Sequence, residues 1–253
     1  MIQLIRKTCR HIPFAHYLYK SFRRKNPSEL IDARDDAHVA AILPKILKTD
    51  SNCVDIGAHV GDVSAKFLSL APHGRHFAFE AIPILAEKVR YRLPQIKVEC
   101  VAVSDQSGNI EFNWVSSNPA FSGIKARSDL RPEDTIERIQ ARTERLDVLV
   151  PVDVDVRLIK IDVEGAEMGV FRGAERILNR NKPYLIFEHG SAARDYGTTS
   201  ADVFQLLASH GLKIWRFDHW LSGQPAFDET TFVSTVATGK YWNFLAGPTD
   251  NTI

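Results

Sequence analysis

Four acids in this chain each stand at the end of an apolar run: Asp55 in Asn52-Cys-Val-Asp-Ile, Glu80 after Arg75-His-Phe-Ala-Phe, Asp162 after Val156-Arg-Leu-Ile-Lys-Ile, and Glu188 after Pro183-Tyr-Leu-Ile-Phe. Glu164 and His189 stand beside the last two. Carboxylates gathered this densely need a cationic or hydroxyl-rich ligand, or a metal, to relieve their repulsion. The first run continues through Gly57, His59 and Gly61 into Asp62-Val-Ser. That pattern reads as a strand, a glycine turn and the start of a helix. Glycines admit a ligand close to the backbone, and a helix N-terminus presents unpaired N–H groups and a positive dipole end. The spacing Gly57-x-x-x-Gly61 is not the G-x-G-x-x-G dinucleotide fingerprint. Glu80, at the tip of the following strand, suits a ribose diol, because its two oxygens can accept from two hydroxyls.

The elements that must position these residues alternate. A helix near Leu30–Leu47 feeds the first strand; a helix follows from about Val63 to Leu70; the Glu80 strand is followed by a helix over Pro83–Arg92; Lys97–Val103 is a third strand, ending in Ser104-Asp105. Strands alternating with helices argue for a parallel, doubly wound sheet, whose ligands bind at the C-terminal strand tips. The middle breaks the rhythm. Gly108–Trp114 reads as an extra strand, Ser116–Arg131 is polar, and Thr135–Asp147 is charged and partly helical. An insertion over about 108–155 is a natural place for substrate-contacting loops. The Asp162 strand leads into a helix over Met168–Leu178, Ser200–His210 is an amphipathic helix, and Leu212–Phe217 and Tyr241–Ala246 read as closing strands.

At 253 residues, with 44% apolar and 25% charged residues, the composition is that of an ordinary soluble globular chain. The net charge of +1 gives no reason to expect nucleic acid. Cys53 and Cys100 lie in apolar strands, as buried reduced thiols in a cytoplasmic protein do. No apolar run approaches the roughly 20 residues needed to span a bilayer, and no secretory signal is expected. Residues 1–29 form a separate N-terminal arm or helices, and 30–253 form the main domain. Residues 1–25 are basic, aromatic and free of acids, which suits peripheral contact with an anionic membrane surface. A solvated basic face on a packed helix pair accounts for them equally well.

Several stretches carry a resemblance: Val54-Asp-Ile-Gly-Ala-His-Val-Gly61, Phe79-Glu80, Ala102-Val103-Ser104, Arg145-Leu-Asp147, Lys160-Ile-Asp-Val-Glu-Gly-Ala-Glu167, Arg172-Gly-Ala174 and Phe187-Glu188. In this order and spacing, over roughly Asn52–His189, the chain resembles the FkbM-type methyltransferases, class I enzymes that use S-adenosylmethionine. The resemblance implies a seven-stranded, mostly parallel Rossmann-like sheet with an antiparallel last strand, here Tyr241–Ala246. It implies methyl transfer to oxygen, commonly a hydroxyl of a sugar, glycan or small metabolite. Carried over by position, Asp55, Gly57 and Gly61 frame the methionine part of the cofactor, Glu80 takes the ribose hydroxyls, and Val103, Ser104 and Asp105 flank the adenine. His59 stands where the family often has Asn, which alters a cofactor contact.

Transfer to a hydroxyl also needs a group to take its proton, or a metal that acidifies it. Asp162 is the first candidate base, then Glu188 and His189; Glu164 would orient the acceptor or the helix end. Asp162, Glu188 and His189 could also take a divalent ion, although no metal spacing motif is present. The string Asn181-Lys-Pro-Tyr184 precedes a strand and reads as a loop, which favours oxygen over an exocyclic amine as acceptor. Other readings are an oxidoreductase on a similar sheet, disfavoured by the missing fingerprint, a membrane-surface module without activity, and a methyltransferase acting on a protein or RNA.

Overall fold

The computed structural model describes residues 27–128 and 130–248, with the side chains of 27–29 left aside. The readings made above for residues 1–25 lie outside the described residues. Contacts divide the chain into Met1–Ala37 and His38–Ile253. Helix α1 (Pro27–Ile46) runs across that division.

From there the strands and helices alternate: β1 (Asn52–Ile56), α2 (Asp62–Leu70), β2 (His76–Glu80), α3 (Pro83–Arg92) and β3 (Lys97–Cys100). After the insertion come β7 (Val156–Ile161), α5 (Glu167–Arg172), α6 (Glu175–Asn181), β8 (Tyr184–Glu188), α7 (Ser200–Ser209), β9 (Lys213–Arg216), α8 (Phe217–Leu221), α9 (Glu229–Ala237) and β10 (Asn243–Gly247). The main sheet has seven strands in the order β3-β2-β1-β7-β8-β10-β9, with β10 antiparallel to both neighbours. This is the expected architecture, with the last strand at Asn243–Gly247.

The central strands are apolar on both faces because helices cover both. On one face Val54, Ile56, Ile159, Ile161, Leu185 and Phe187 pack with Phe171, Ile177 and Leu207. On the other, Cys53, Leu158, Tyr184 and Ile186 pack with Ile42, Leu43 and Phe67. Register then lines up the tips. Asp55 of β1 lies opposite Ala78 of β2 and Lys160 of β7, and Ile161 lies opposite Phe187 of β8. Asp55 and Lys160 therefore share the face that otherwise carries Cys53 and Leu158.

The insertion departs from the sequence reading. The run Thr135–Asp147 is not partly helical over its length: Ile136–Glu144 is strand β6, and only Leu146–Leu149 forms a short helix, α4. Strand β6 pairs antiparallel along its length with β5 (Gly108–Val115), so the backbone groups it turns toward β5 are satisfied whatever the side-chain pattern. Its Arg and Glu side chains are largely solvated, and this hid the period-two signal. The third strand is also broken. It ends at Cys100, and β4 (Ala102–Val103) joins β6 in a separate three-stranded sheet ordered β4-β6-β5. The helix read over Met168–Leu178 is two helices, α5 and α6, that part at Gly173-Ala174. A Cβ at Gly173 would lie 2.1 Å from the Ser104 carbonyl oxygen, so β4's exit presses against this junction. Helix α9 was not foreseen; Asp228 caps it by accepting from the Thr231 N–H.

Candidate active site

One end of the strand-tip crevice, which the sequence reading assigns to the methyl donor, is built from the turn after β1. Gly57, His59 and Gly61 have φ of 72°, 52° and 83°. His59 in the left-handed region fits the resemblance, since Asn and His are among the side chains that enter it most readily. At Gly57 any side chain is excluded: a Cβ would lie 1.8 Å from the Asp162 carbonyl oxygen. The backbone turn therefore rests directly on the tip of β7.

Asp55 is fully buried behind this turn. Its Oδ2 accepts from the Ser64 hydroxyl at 2.6 Å, and Lys160 Nζ lies 3.6 Å from Oδ1. Lys160 also donates to the Gly57 carbonyl at 2.8 Å and sits 3.3 Å from Asp162 Oδ2. Burial alone would lower the Lys160 pKa, but Asp162 and Asp55 outweigh it and raise it, so the ammonium stays charged.

Glu80 accepts the His59 N–H at Oε2 (2.7 Å) and the Ile82 N–H at Oε1 (2.9 Å). Each oxygen keeps a second lone pair, which is what two vicinal hydroxyls require. Burial raises the Glu80 pKa, against the pull of these two N–H groups. Glu80 opens into a cavity lined also by Gly57, His59, Ile82, Val103, Phe112, Ile124, Asp162 and Glu164. Asp55 and Gly61 stand behind its wall. Ser104 and Asp105 line a neighbouring depression with Arg172 and Tyr196.

The end around β7 and β8 is different in character. Asp162, Glu164 and Glu188 offer carboxylate oxygens within 4.8 Å of one another, a set that could hold a metal ion. Glu164 has φ of 54° and is followed by Gly165 at 98°, so the chain turns sharply after β7. Burial and the Asp162 charge push Glu164 up to about 8, opposed by its ion pair with Arg127. Burial and the neighbouring Asp162, Glu164 and Glu167 also raise Glu188 well above the usual carboxylate range. Glu167 is buried and pushed up to about 7, with Oε1 accepting the Gly165 N–H at 3.0 Å. His189 is not part of this group. Its Nε2 lies 3.0 Å from the Ser200 hydroxyl and its ring stacks on Phe232, while burial drives its pKa down to about 4.

A model of the methyltransferase FkbM domain matches residues 55–214. The chain belongs to the FkbM methyltransferase family. Its domain is that of an S-adenosylmethionine-dependent methyltransferase. Two curated relatives are 28% identical over 160 residues, the 2-O-methyltransferase NoeI of Sinorhizobium fredii, and 26% identical over 245 residues, the AMB antimetabolite synthetase AmbE of Pseudomonas aeruginosa. The first match covers 56% of this chain and 64% of NoeI; the second covers 79% of this chain and 12% of AmbE. This FkbM chain thus spans less than two thirds of either relative. The solved methyltransferase FkbM from Methylobacillus flagellatus shares the fold, with a TM-score of 0.50 at 14% identity over 79% of this chain and 44% of that one.

The donor end fits S-adenosylmethionine. It has a turn in which Gly57 leaves no room for a side chain, a glutamate with two free lone pairs for a ribose, and an orphan buried oxygen, Asp55 Oδ1, with no hydrogen-bond donor. Three residues of this FkbM site were not singled out from sequence: Ser64, Lys160 and Arg127. Lys160 did leave a signal, since a cation inside a buried strand requires a partner. Arg127 left none, because its place depends on how the insertion folds. Among the described residues no helix is long and apolar enough to cross a membrane.

Proposed function

We propose that this FkbM-family chain transfers a methyl group from S-adenosylmethionine to a hydroxyl of a sugar, glycan or small hydroxylated metabolite. The observation that carries this reading is the carboxylate group Asp162–Glu164–Glu188: Asp162 and Glu164 line the cavity, Glu188 offers an oxygen within 4.8 Å of theirs, and such a group can take the proton of a hydroxyl. That NoeI is a 2-O-methyltransferase supports the same chemistry.

The bound donor supplies a methyl group made electrophilic by its sulfonium charge. The carboxylates favour that charge, and Lys160 holds the Gly57 carbonyl and Asp162 in place. As the acceptor oxygen bonds to the methyl carbon and the carbon–sulfur bond breaks, the hydroxyl proton passes to a carboxylate. Asp162 already has Lys160 as its counter-charge. The Glu188 pKa is raised by burial and by Asp162, Glu164 and Glu167, with Arg127 the opposing charge, so we assign the proton to Glu188 and the orientation of the acceptor to Asp162 and Glu164. A base whose pKa is raised toward the working pH is the stronger proton acceptor.

The test is isothermal titration with S-adenosylmethionine and S-adenosylhomocysteine, followed by methyl transfer to a panel of sugars, hydroxylated acids and matched amines. Binding of both cofactor forms and transfer to a hydroxyl is the expected result. No binding, or transfer confined to amines, would overturn the proposal.

A further inference from the structure

Beside the cavity that Glu80 opens into lies a second hollow, the depression that holds Ser104 and Asp105. Its volume is about 340 Å³, within the range of small-ligand sites. Ile124 of the insertion and Ala166 after β7 line both spaces, so the two share a wall. A Cβ on Gly108 would meet nothing within 4 Å, so the hollow is open on the β5 side. Its charge is opposite to its neighbour's. The cavity presents Asp162 and Glu164, whereas the hollow has Asp105 as its carboxylate and Lys125 and Arg172 as its cations. Two of these three are engaged. Asp105 accepts from the Ser104 hydroxyl at 3.2 Å, and Lys125 Nζ donates to the Asp195 carbonyl at 3.0 Å and lies 5.2 Å from the centre of the Tyr196 ring. Arg172, the last residue of α5, is exposed and makes no hydrogen bond or ion pair among the described residues. Asp202 feels its charge but is committed to Thr199, the cap of α7. A planar fork of five N–H donors is thus left at a ligand-sized hollow next to the methyl-transfer cavity.

We propose that this hollow is a subsite for an oxyanion of the acceptor: a carboxylate or phosphate monoester carried by the hydroxylated acceptor pairs with Arg172, with Lys125 as the second cation. The inference rests on the methyl-transfer reading above and narrows its acceptors to anionic ones. Guanidinium suits the task because its parallel N–H groups match the two oxygens of either anion. Charge then sets the orientation. An anion is repelled by Asp162 and Glu164 and drawn to Arg172, so the acceptor enters with its anionic end in the hollow and a hydroxyl toward the cavity. The neutral polar groups around it, Thr198 and the Tyr196 hydroxyl among them, can meet the remaining hydroxyls of a sugar or hydroxy acid.

The probes are glucuronate and glucose 6-phosphate, with glucose as the neutral control, each titrated into wild type, Arg172→Gln and Arg172→Lys already loaded with S-adenosylhomocysteine. At least one anion is expected to bind wild type about tenfold more tightly than glucose does, the scale of a hydrogen bond to a charged group, and the better of the two distinguishes carboxylate from phosphate. Arg172→Gln should erase that preference, and Arg172→Lys should keep part of it, since an ammonium retains the charge but not the fork. Affinity for S-adenosylhomocysteine should stay within about threefold in all three proteins, as expected for a residue that does not touch the cofactor. Equal binding of anions and glucose, no binding of either anion, or a preference that survives in Arg172→Gln overturns the proposal alone and leaves Arg172 a solvated surface cation. Displacement of S-adenosylhomocysteine by the anions also overturns it, because the hollow would then belong to the cofactor. Failure of wild type to bind S-adenosylhomocysteine overturns the methyl-transfer reading and this inference together.

Discussion

The two ends of the strand-tip crevice solve opposite problems. At the proposed donor end, around β1 and β2, most polar groups have partners before any ligand arrives: Glu80 accepts two backbone N–H groups, Asp55 accepts from Ser64 at one oxygen and keeps the other without a donor, and Lys160 braces the turn. At the acceptor end, around β7 and β8, Asp162, Glu164, Glu188 and Glu167 are crowded, and burial holds three of them above their ordinary pKa. The first arrangement is a preformed mould. The second stores electrostatic tension that a cationic donor and a departing proton relieve. For the proposed transfer, shape at one end would hold the donor and charge at the other would leave the chemistry to carboxylates.

Five substitutions would sharpen or break this contrast. Gly57→Ala should have the largest effect, because the added carbon meets the Asp162 carbonyl at 1.8 Å. The expected loss is at least about 3 kcal/mol of stability, together with cofactor binding, read by thermal denaturation and titration. A stable variant that still binds would show that the turn is not a rigid mould. Next, Glu188→Gln should lower kcat by roughly 10²–10³-fold while S-adenosylhomocysteine affinity holds, as removal of a general base does. If Asp162→Asn produced that signature and Glu188→Gln did not, the proton assignment would move to Asp162.

Glu80→Gln should weaken both cofactor forms by about tenfold to a hundredfold, because its amide nitrogen would face a backbone N–H and lose an acceptor site. Equal loss for both forms is the mark of a shape contact; a loss confined to the sulfonium form would place charge at the donor end as well. The smallest effect concerns stability and pH. Glu167 releases its proton near 4.5 when unfolded and near 7 when folded. Between those values the folded chain holds a proton that the unfolded chain has lost, so stability falls as pH rises through this window and levels off above it. Glu167→Gln removes that decline and should raise stability at pH 8 by about 2 kcal/mol while changing little at pH 4. Melting curves at both values check it, and a destabilised variant at pH 8 would mean that the charge of Glu167 is wanted at the α5 N-terminus.

The donor end was legible in sequence because its signals are local: a strand, two glycines and an acid at each tip. Gly57 and Glu80 needed only the order of elements. The acceptor end was half legible. Asp162, Glu164 and Glu188 were visible as tip acids, but their mutual approach depends on the left-handed turn at Glu164. Arg127 reaches them from the polar stretch Ser116–Arg131, whose path over the crevice no local pattern sets; the run misread nearby is Thr135–Asp147, where the exposed charges of β6 mask its strand character. Ser104 and Asp105 were placed by position along the chain; the break after Cys100 sends them with β4 toward α5. His189 drew attention as a titratable group at a tip, yet its ring is committed to Ser200 and Phe232.

The contact between Gly57 and the Asp162 carbonyl also bears on which acceptors can be used. It locks the donor loop against the strand that carries the acceptor-orienting carboxylate, like the jaws of a caliper set to one reading. For the proposed transfer, the gap between methyl carbon and carboxylate cannot widen to suit a bulkier partner. Acceptors are then sorted by reach: a hydroxyl set one bond too far from its ring, or tucked one bond too close, misses the methyl even when the rest of the molecule fits.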